Sequence, residues 1–169
     1  MICIEPCMFT LEFRPKESSG RLLPQVRNVV LVDMDGTLAD VTHRLHWIRG
    51  SKKKNWKRFF QEMSKDPPNP VVLEWVKNLV PEYEIFIVSG RPAEYRQATT
   101  DWLRRYQVPF SELHMRRSGD RRPDHIVKRE LLDEIGNDRV AFVIDDRNSV
   151  CDMWRSNRLT CYQVAEGNY

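Results

Sequence analysis

Apolar residues gather in short runs along the chain, at 28–33, 85–88, 112–115, 140–144 and 160–164, each bounded by polar or turn residues. Between these runs the apolar positions recur at helical spacing, at about 70–80, 92–106, 124–135 and 148–156. Short continuous runs read as buried strands, and the intervening periods read as amphipathic helices. Their alternation predicts an α/β fold in three layers, a central parallel sheet with helices on both faces. No internal repeat is present. Residues 1–27 show no clear periodicity and include Lys16-Glu17-Ser18-Ser19-Gly20, which predicts a partly disordered extension ahead of one domain over 28–169.

The segment 41–69 breaks the rhythm and is too long for a plain loop after the first strand. It carries Trp47, Trp56, Phe59 and Phe60 among Arg44, Arg49, Lys52, Lys53, Lys54, Lys57, Arg58 and Lys65, with Glu62 opposing them, and closes on Asp66-Pro67-Pro68-Asn69-Pro70. A small helical cap over the strand ends fits this pattern. Its lysines fit a solvated helix face, and its aromatic residues fit pins between cap and core. Basic residues interleaved with aromatic ones also suit a nucleic-acid backbone.

Composition narrows the class only slightly. The chain has 169 residues and a formal charge of +3, too modest to name a partner. No stretch approaches the roughly 18 apolar residues of a membrane span. The N-terminus lacks the basic-then-apolar pattern of a secretory signal. Cys3, Cys7, Cys151 and Cys161 form no C-x-x-C pair, which argues against zinc and for a reducing, cytoplasmic setting. His43 and His46 form H-x-x-H without the glutamate of a zinc protease and read as polar cap residues.

The ends of the apolar runs carry the candidate chemistry. The first run ends in Asp33-Met34-Asp35-Gly36-Thr37-Leu38. This is either an acidic turn or a pair of carboxylates at the edge where open parallel sheets bind ligands, and hard oxygen donors there select Mg²⁺. The second ends in Ser89-Gly90-Arg91-Pro92, where Ser89 is either a helix N-cap or a phosphate donor beside a helix N-terminus. The fourth ends in Asp145-Asp146-Arg147, and an N-cap needs only one of those acids, so a second carboxylate source for a metal is favoured. Asp124 and Lys128 stand four apart on one helix face, a spacing that a surface ion pair also produces.

Taken together and in this order, D-x-D-G-T-L, Ser-Gly-Arg, the later lysine and Asp-Asp resemble the four motifs of the haloacid dehalogenase superfamily over about residues 28–169. Arg44 after the first motif narrows the resemblance. So do the run Met115-Arg116-Arg117-Ser118-Gly119-Asp120-Arg121-Arg122-Pro123-Asp124, then Met153-Trp154-Arg155 and Tyr162-Gln163-Val164-Ala165-Glu166-Gly167. This succession is similar to the 3′-phosphatase domain of phage-type polynucleotide kinase/phosphatase. No G-x-x-x-x-G-K-[ST] kinase motif is present, so a stand-alone phosphatase without kinase activity is expected.

The resemblance implies a Rossmann-like sheet and removal of 3′-phosphate from DNA or RNA ends with Mg²⁺. It implies that Asp33 attacks phosphorus and that Asp35 moves the proton, a role needing a shared proton or a raised pKa. Asp33, Asp145, Asp146 and the Asp35 carbonyl would hold the metal. Ser89, with Gly90, and Lys128 would hold the phosphoryl oxygens. Arg44, Arg91, Arg116 and Asp124 would stand around the leaving group, Asp124 alternatively orienting Lys128 or an arginine. Arg147 fits equally a helix start paired with a nearby acid. Met153 and Trp154 are expected to pack the last helix on the sheet. The partners implied are DNA or RNA 3′ ends and a separate kinase or ligase. The rival readings are a phosphatase for nucleoside monophosphates or other small phosphoesters, and a nucleic-acid-binding module with a vestigial centre, which the intact Asp33, Asp35, Ser89, Lys128 and Asp145 oppose.

Overall fold

The computed structural model describes residues 26–49 and 54–167. The expected extension up to Gln25, Cys3 and Cys7 within it, and Lys52 and Lys53 of the basic run lie outside the described residues. Five strands, β1 (Val29–Val32), β2 (Glu84–Pro92), β3 (Glu112–Arg116), β4 (Val140–Arg147) and β5 (Cys161–Gly167), form one sheet in the order β3-β2-β1-β4-β5. Every pairing is parallel. The helices are α1 (Trp56–Gln61), α2 (Pro70–Leu79), α3 (Arg96–Arg105), α4 (Asp124–Ile135) and α5 (Asn148–Ser156). None among the described residues is long and apolar enough to cross a membrane.

The two-residue period of a strand splits the core. Val29, Leu31, Phe86, Val88 and Val143 point to one face and pack with Val127 and Leu131 of α4 and Trp154 of α5. Val30, Val32, Ile85, Ile87 and Ile144 point to the other and pack with Val72 and Val76 of α2 and Trp102 of α3. The same parity carries past the last apolar residue. Asp33 continues the Val29-Leu31 series and Asp145 continues from Val143, so both carboxylates arrive on the α4/α5 side. β1 and β4 are also where the strand order reverses, the crevice at which open α/β sheets bind ligands.

Strands run past their predicted ends, β4 on to Arg147 and β5 on to Gly167. β2 runs on through Ser89-Gly90-Arg91-Pro92, because it stays paired with β3 up to Pro92 and Arg116 across an irregularity. The following helix therefore starts at Arg96 instead of 92, after a 3₁₀ turn at Ala93–Tyr95. The segment after β1 holds a 3₁₀ turn, Thr42–Trp47, then α1 and a second 3₁₀ turn, Met63–Lys65. Val41, Leu45, Ile48 and Phe59 form a small apolar cluster of their own there.

Candidate active site

α4 owes its position to four buried residues, Val127, Leu131, Leu132 and Ile135, and it ends at Gly136, whose φ of 95° suits glycine. Lys128 lies on that buried stripe and is carried to the end of β1. Its ammonium donates to Asp33 Oδ1 at 2.6 Å and to Asp145 Oδ2 at 2.8 Å. Asp124 Oδ2 is farther, at 4.0 Å. Asp145 also accepts from Trp154 Nε1 at 3.1 Å, and its other oxygen accepts from the N–H groups of Asp146 and Arg147 at 2.9 and 3.1 Å. Trp154 thus packs as expected and also fixes a carboxylate.

Carboxylate oxygens of Asp33, Asp145 and Asp146 lie within 4.8 Å of one another, all three residues buried. Thr37 Oγ1 donates to Asp146 at 3.4 Å. Lys128 pairs with Asp33 and Asp145, and Asp146 adds a third carboxylate to the same buried cluster. Burial first, then Asp145 and Asp146, push the Asp33 carboxyl well above the usual range in spite of Lys128. Burial alone would lower Lys128, yet the carboxylates of Asp145, Asp33 and Asp124 outweigh it and hold the ammonium charged. An all-oxygen set of three carboxylates fits a hard divalent cation such as Mg²⁺. The Asp35 side chain is not part of this cluster.

Asp35 faces the opposite way, into two guanidinium groups. Arg44 Nη2 donates to its Oδ1 at 2.8 Å, and Arg91 donates through Nε at 2.9 Å and Nη2 at 2.5 Å. Burial would raise this carboxyl, but Arg44 and Arg91 together hold it below the ordinary carboxylate range. The raised pKa expected for a proton-donating Asp35 is therefore corrected in this arrangement, because two buried cations share one of its oxygens.

Both arginines are anchored by Asp66, a residue the sequence reading passed over. Arg44 donates to it through Nε at 2.7 Å and Nη2 at 2.6 Å, Arg91 through Nη2 at 3.1 Å, and His43 Nε2 lies 2.8 Å from Oδ1. Asp66 has no exposed surface. Its own carbonyl accepts from Trp102 Nε1 at 2.8 Å, which ties the end of the inserted segment to α3. The sequence signal was slight, one acid ahead of a proline pair.

The other expected residues fall into two groups. Ser89 is buried, and its hydroxyl accepts from Arg91 N at 3.2 Å. The N-cap alternative for Ser89 is gone, since the helix begins seven residues later at Arg96. Gly90 passes so close to Asp124 that a β-carbon would sit 2.2 Å from its Oδ1. Arg116 braces the end of β2 against the start of α4. Its donors go to Gly90 O at 2.8 Å, Arg122 O at 2.7 Å and Asp124 Oδ1 at 3.0 Å. Arg147 pairs with Asp124 Oδ2 at 3.3 Å. A cleft of about 400 Å³ opens on the Asp146 side, between Gly36 and Asp40 after β1 and Glu166-Gly167 at the end of β5.

The arrangement sets an ionisable carboxylate, a charged lysine and a cation-attracting triad on one side of the first strand end. On the other side stands a carboxylate gripped by arginines. That division suits attack on phosphorus at one carboxylate and proton movement at the other.

The family model of the polynucleotide kinase PNKP phosphatase domain matches residues 27–169. A solved Pnkp1/Rnl/Hen1 complex contains a chain 32% identical to this one, with a TM-score of 0.71 over 95% of this chain and 51% of that one. A second, described as the Pnkp1/Rnl/Hen1 RNA repair complex, gives 31% identity and a TM-score of 0.70, covering 96% of this chain and 48% of that one. The present chain therefore spans about half the length of those it matches. The haloacid dehalogenase-like hydrolase SP0104 from Streptococcus pneumoniae shares the fold at 12% identity and a TM-score of 0.54, over 80% of this chain and 83% of that one.

Proposed function

Since the chain belongs to the family of polynucleotide kinase PNKP phosphatase domains, and so to the haloacid dehalogenase phosphatases, we propose that it is a Mg²⁺-dependent 3′-phosphatase of nucleic-acid ends. The observation that carries this reading is the pairing of Lys128 with Asp33 and Asp145, opposite an Asp35 held by two arginines. RNA ends are the favoured substrate and a separate ligase the favoured partner, because the relatives at 31–32% identity come from complexes that join Pnkp1 to Rnl and Hen1. The phosphatase unit is 28–169 with a cap at 41–69, acting in a reducing cytoplasm where Cys151 and Cys161 remain thiols.

Asp33, Asp145, Asp146 and the Asp35 carbonyl would hold Mg²⁺, which supplies charge neutralisation for the phosphoryl oxygens when bound. Asp33 attacks phosphorus. The bond from phosphorus to the 3′ oxygen breaks, and Asp35 delivers a proton to that oxygen. Asp35 then takes a proton from the water that attacks the aspartyl-phosphate, releasing inorganic phosphate and restoring Asp33. Lys128 and Ser89 hold the phosphoryl oxygens as charge builds on them.

Arg44 and Arg91 reconcile the ionised Asp35 with proton donation. An arriving phosphate dianion competes for both guanidinium groups, since arginine binds phosphate through parallel hydrogen bonds. With both guanidinium groups still held by Asp66, the phosphate's negative charge and its share of their donors raise the proton affinity of Asp35.

The test is phosphate release from matched RNA and DNA oligonucleotides with 3′-phosphate, 5′-phosphate and 2′,3′-cyclic ends, with Mg²⁺ and with a chelator. Nucleoside monophosphates and p-nitrophenyl phosphate run in parallel. The reading expects Mg²⁺-dependent turnover of 3′-phosphorylated oligonucleotides above all others. Faster hydrolysis of mononucleotides, with no competition from oligonucleotides, would instead assign a small-phosphoester phosphatase.

A further inference from the structure

Three rings, Trp56 exposed and Phe60 and Tyr95 half-buried, form a continuous row that the catalytic chemistry does not use. Trp56 stacks on Phe60 with centroids 6.0 Å apart and planes 24° apart. Phe60 meets Tyr95 at 5.3 Å and 34°. Trp56 is 40% exposed, a large apolar surface left to solvent on a six-residue helix. The row joins two separate segments, α1 and the 3₁₀ turn after β2, each of which lies near one of the two arginines on Asp35. Phe59, in edge contact with Trp56 and Phe60, carries the Arg44 guanidinium over its ring at 4.0 Å. Arg44 in turn holds Asp35. Tyr95 follows Arg91, the other arginine on Asp35, by four residues.

The leaving group must lie on the Asp35 side of phosphorus, because that carboxyl delivers its proton. For a 3′-phosphorylated strand the leaving group is the terminal nucleoside, with the rest of the strand behind it. We infer that the terminal bases of the leaving strand continue the ring stack of Trp56, Phe60 and Tyr95. Aromatic rings accept any base by its π-face, and the flank is basic. Lys54, Lys57, Arg58 and Arg96 are exposed in and beside the same two segments, and Lys54 Nζ sits 5.5 Å from the Trp56 ring centroid. A base arriving on Trp56 displaces that ammonium toward the strand's own phosphates. A duplex end offers only its last face, whereas successive bases can follow the row only when unpaired, so the substrate class becomes a single-stranded 3′ end. This rests on the 3′-phosphatase reading and adds the groups that separate an oligonucleotide from a small phosphoester.

The experiment compares kcat/KM for a 3′-phosphorylated single-stranded oligonucleotide, the same strand with its last two bases removed, and p-nitrophenyl phosphate. It uses the full chain, Trp56→Ala, Trp56→Phe and Tyr95→Ala, with thermal unfolding of each. Trp56→Ala should lower kcat/KM for the oligonucleotide on the order of tenfold and leave p-nitrophenyl phosphate unchanged, while Trp56→Phe recovers most of the loss. The strand lacking bases should lose a similar factor on the unmodified protein and be insensitive to Trp56→Ala. Equal loss on both substrates, or an unmodified protein that ignores the missing bases, overturns the inference and leaves the 3′-phosphatase reading standing. If the unmodified protein fails to hydrolyse 3′-phosphorylated strands, that reading fails. Fluorescence-polarisation binding of the unphosphorylated strand then decides the stacking site, unchanged affinity in Trp56→Ala overturning it.

Discussion

Arg44 and Asp66 form a two-point clamp in which Nε and Nη2 reach both carboxylate oxygens at 2.7 and 2.6 Å, with neither side chain exposed. The clamp spans 22 residues and fixes the guanidinium that grips Asp35. Removing one partner from a buried, hydrogen-bonded charge pair costs about 3–5 kcal/mol, since the remaining charge stays out of water. Asp66→Ala should lose that much stability in urea unfolding. Asp66→Asn, which keeps one accepting oxygen, should lose less. An unchanged midpoint for Asp66→Ala would show that the clamp is not what holds these arginines.

Lys128 is the lysine that bridges Asp33 and Asp145. Its replacement by glutamine removes a fixed positive charge from the position where negative charge gathers on phosphorus. Loss of one such preorganised donor typically costs 10²–10³-fold in kcat. Lys128→Gln should fall in about that range, measured as phosphate release at saturating substrate. A normal kcat with a raised KM would assign Lys128 to binding alone.

Proton delivery matters most when the departing oxygen is basic. Asp35→Asn should therefore slow release of a nucleoside alcohol by about 10²–10⁴-fold and slow departure of p-nitrophenolate much less. Rapid-quench measurement of the first turnover on both substrates separates the effects. Equal loss on the two would remove Asp35 from the proton-transfer step.

Asp120 offers a test of the electrostatics away from catalysis. Its oxygens accept from Arg122 N and Nε at 2.9 and 3.1 Å and from Nη2 at 2.6 Å. Those side-chain and backbone hydrogen bonds from Arg122 hold its pKa at about 2. A depressed carboxyl contributes stability that is fully present above its unfolded value, about 4, and lost as pH falls toward 2. Carboxyl NMR titration should place Asp120 near that value and return it upward in Arg122→Ala. Stability of the variant should fall less steeply between pH 4 and 2.

What could be read from the chain follows a physical boundary. The strand runs at 29–32 and 140–144 were legible because two-sided burial leaves continuous apolar residues, and period two then fixes the side on which Asp33 and Asp145 emerge. α4 was legible from end to end, since its buried stripe and Gly136 mark both its face and its stop. Asp66 was not, because a carboxylate becomes an anchor only when residues 22 and 25 positions away meet it. Asp35 shows the same limit. Its motif identified the residue, while its ionisation depends on Arg44 and Arg91, which the fold brings together. Arg116 was placed by resemblance beside the leaving group, yet the backbone carbonyls of Gly90 and Arg122 take its donors.

The central claim is that phosphate passes through Asp33. Acid quenching of the enzyme during turnover of a 3′-phosphorylated oligonucleotide, followed by mass analysis of its peptides, tests this most directly. The account requires one added phosphoryl group on the peptide containing Asp33, absent from Asp33→Asn, which releases no phosphate. An Asp33→Asn variant that turns over normally, with no adduct on the unmodified protein, would contradict it.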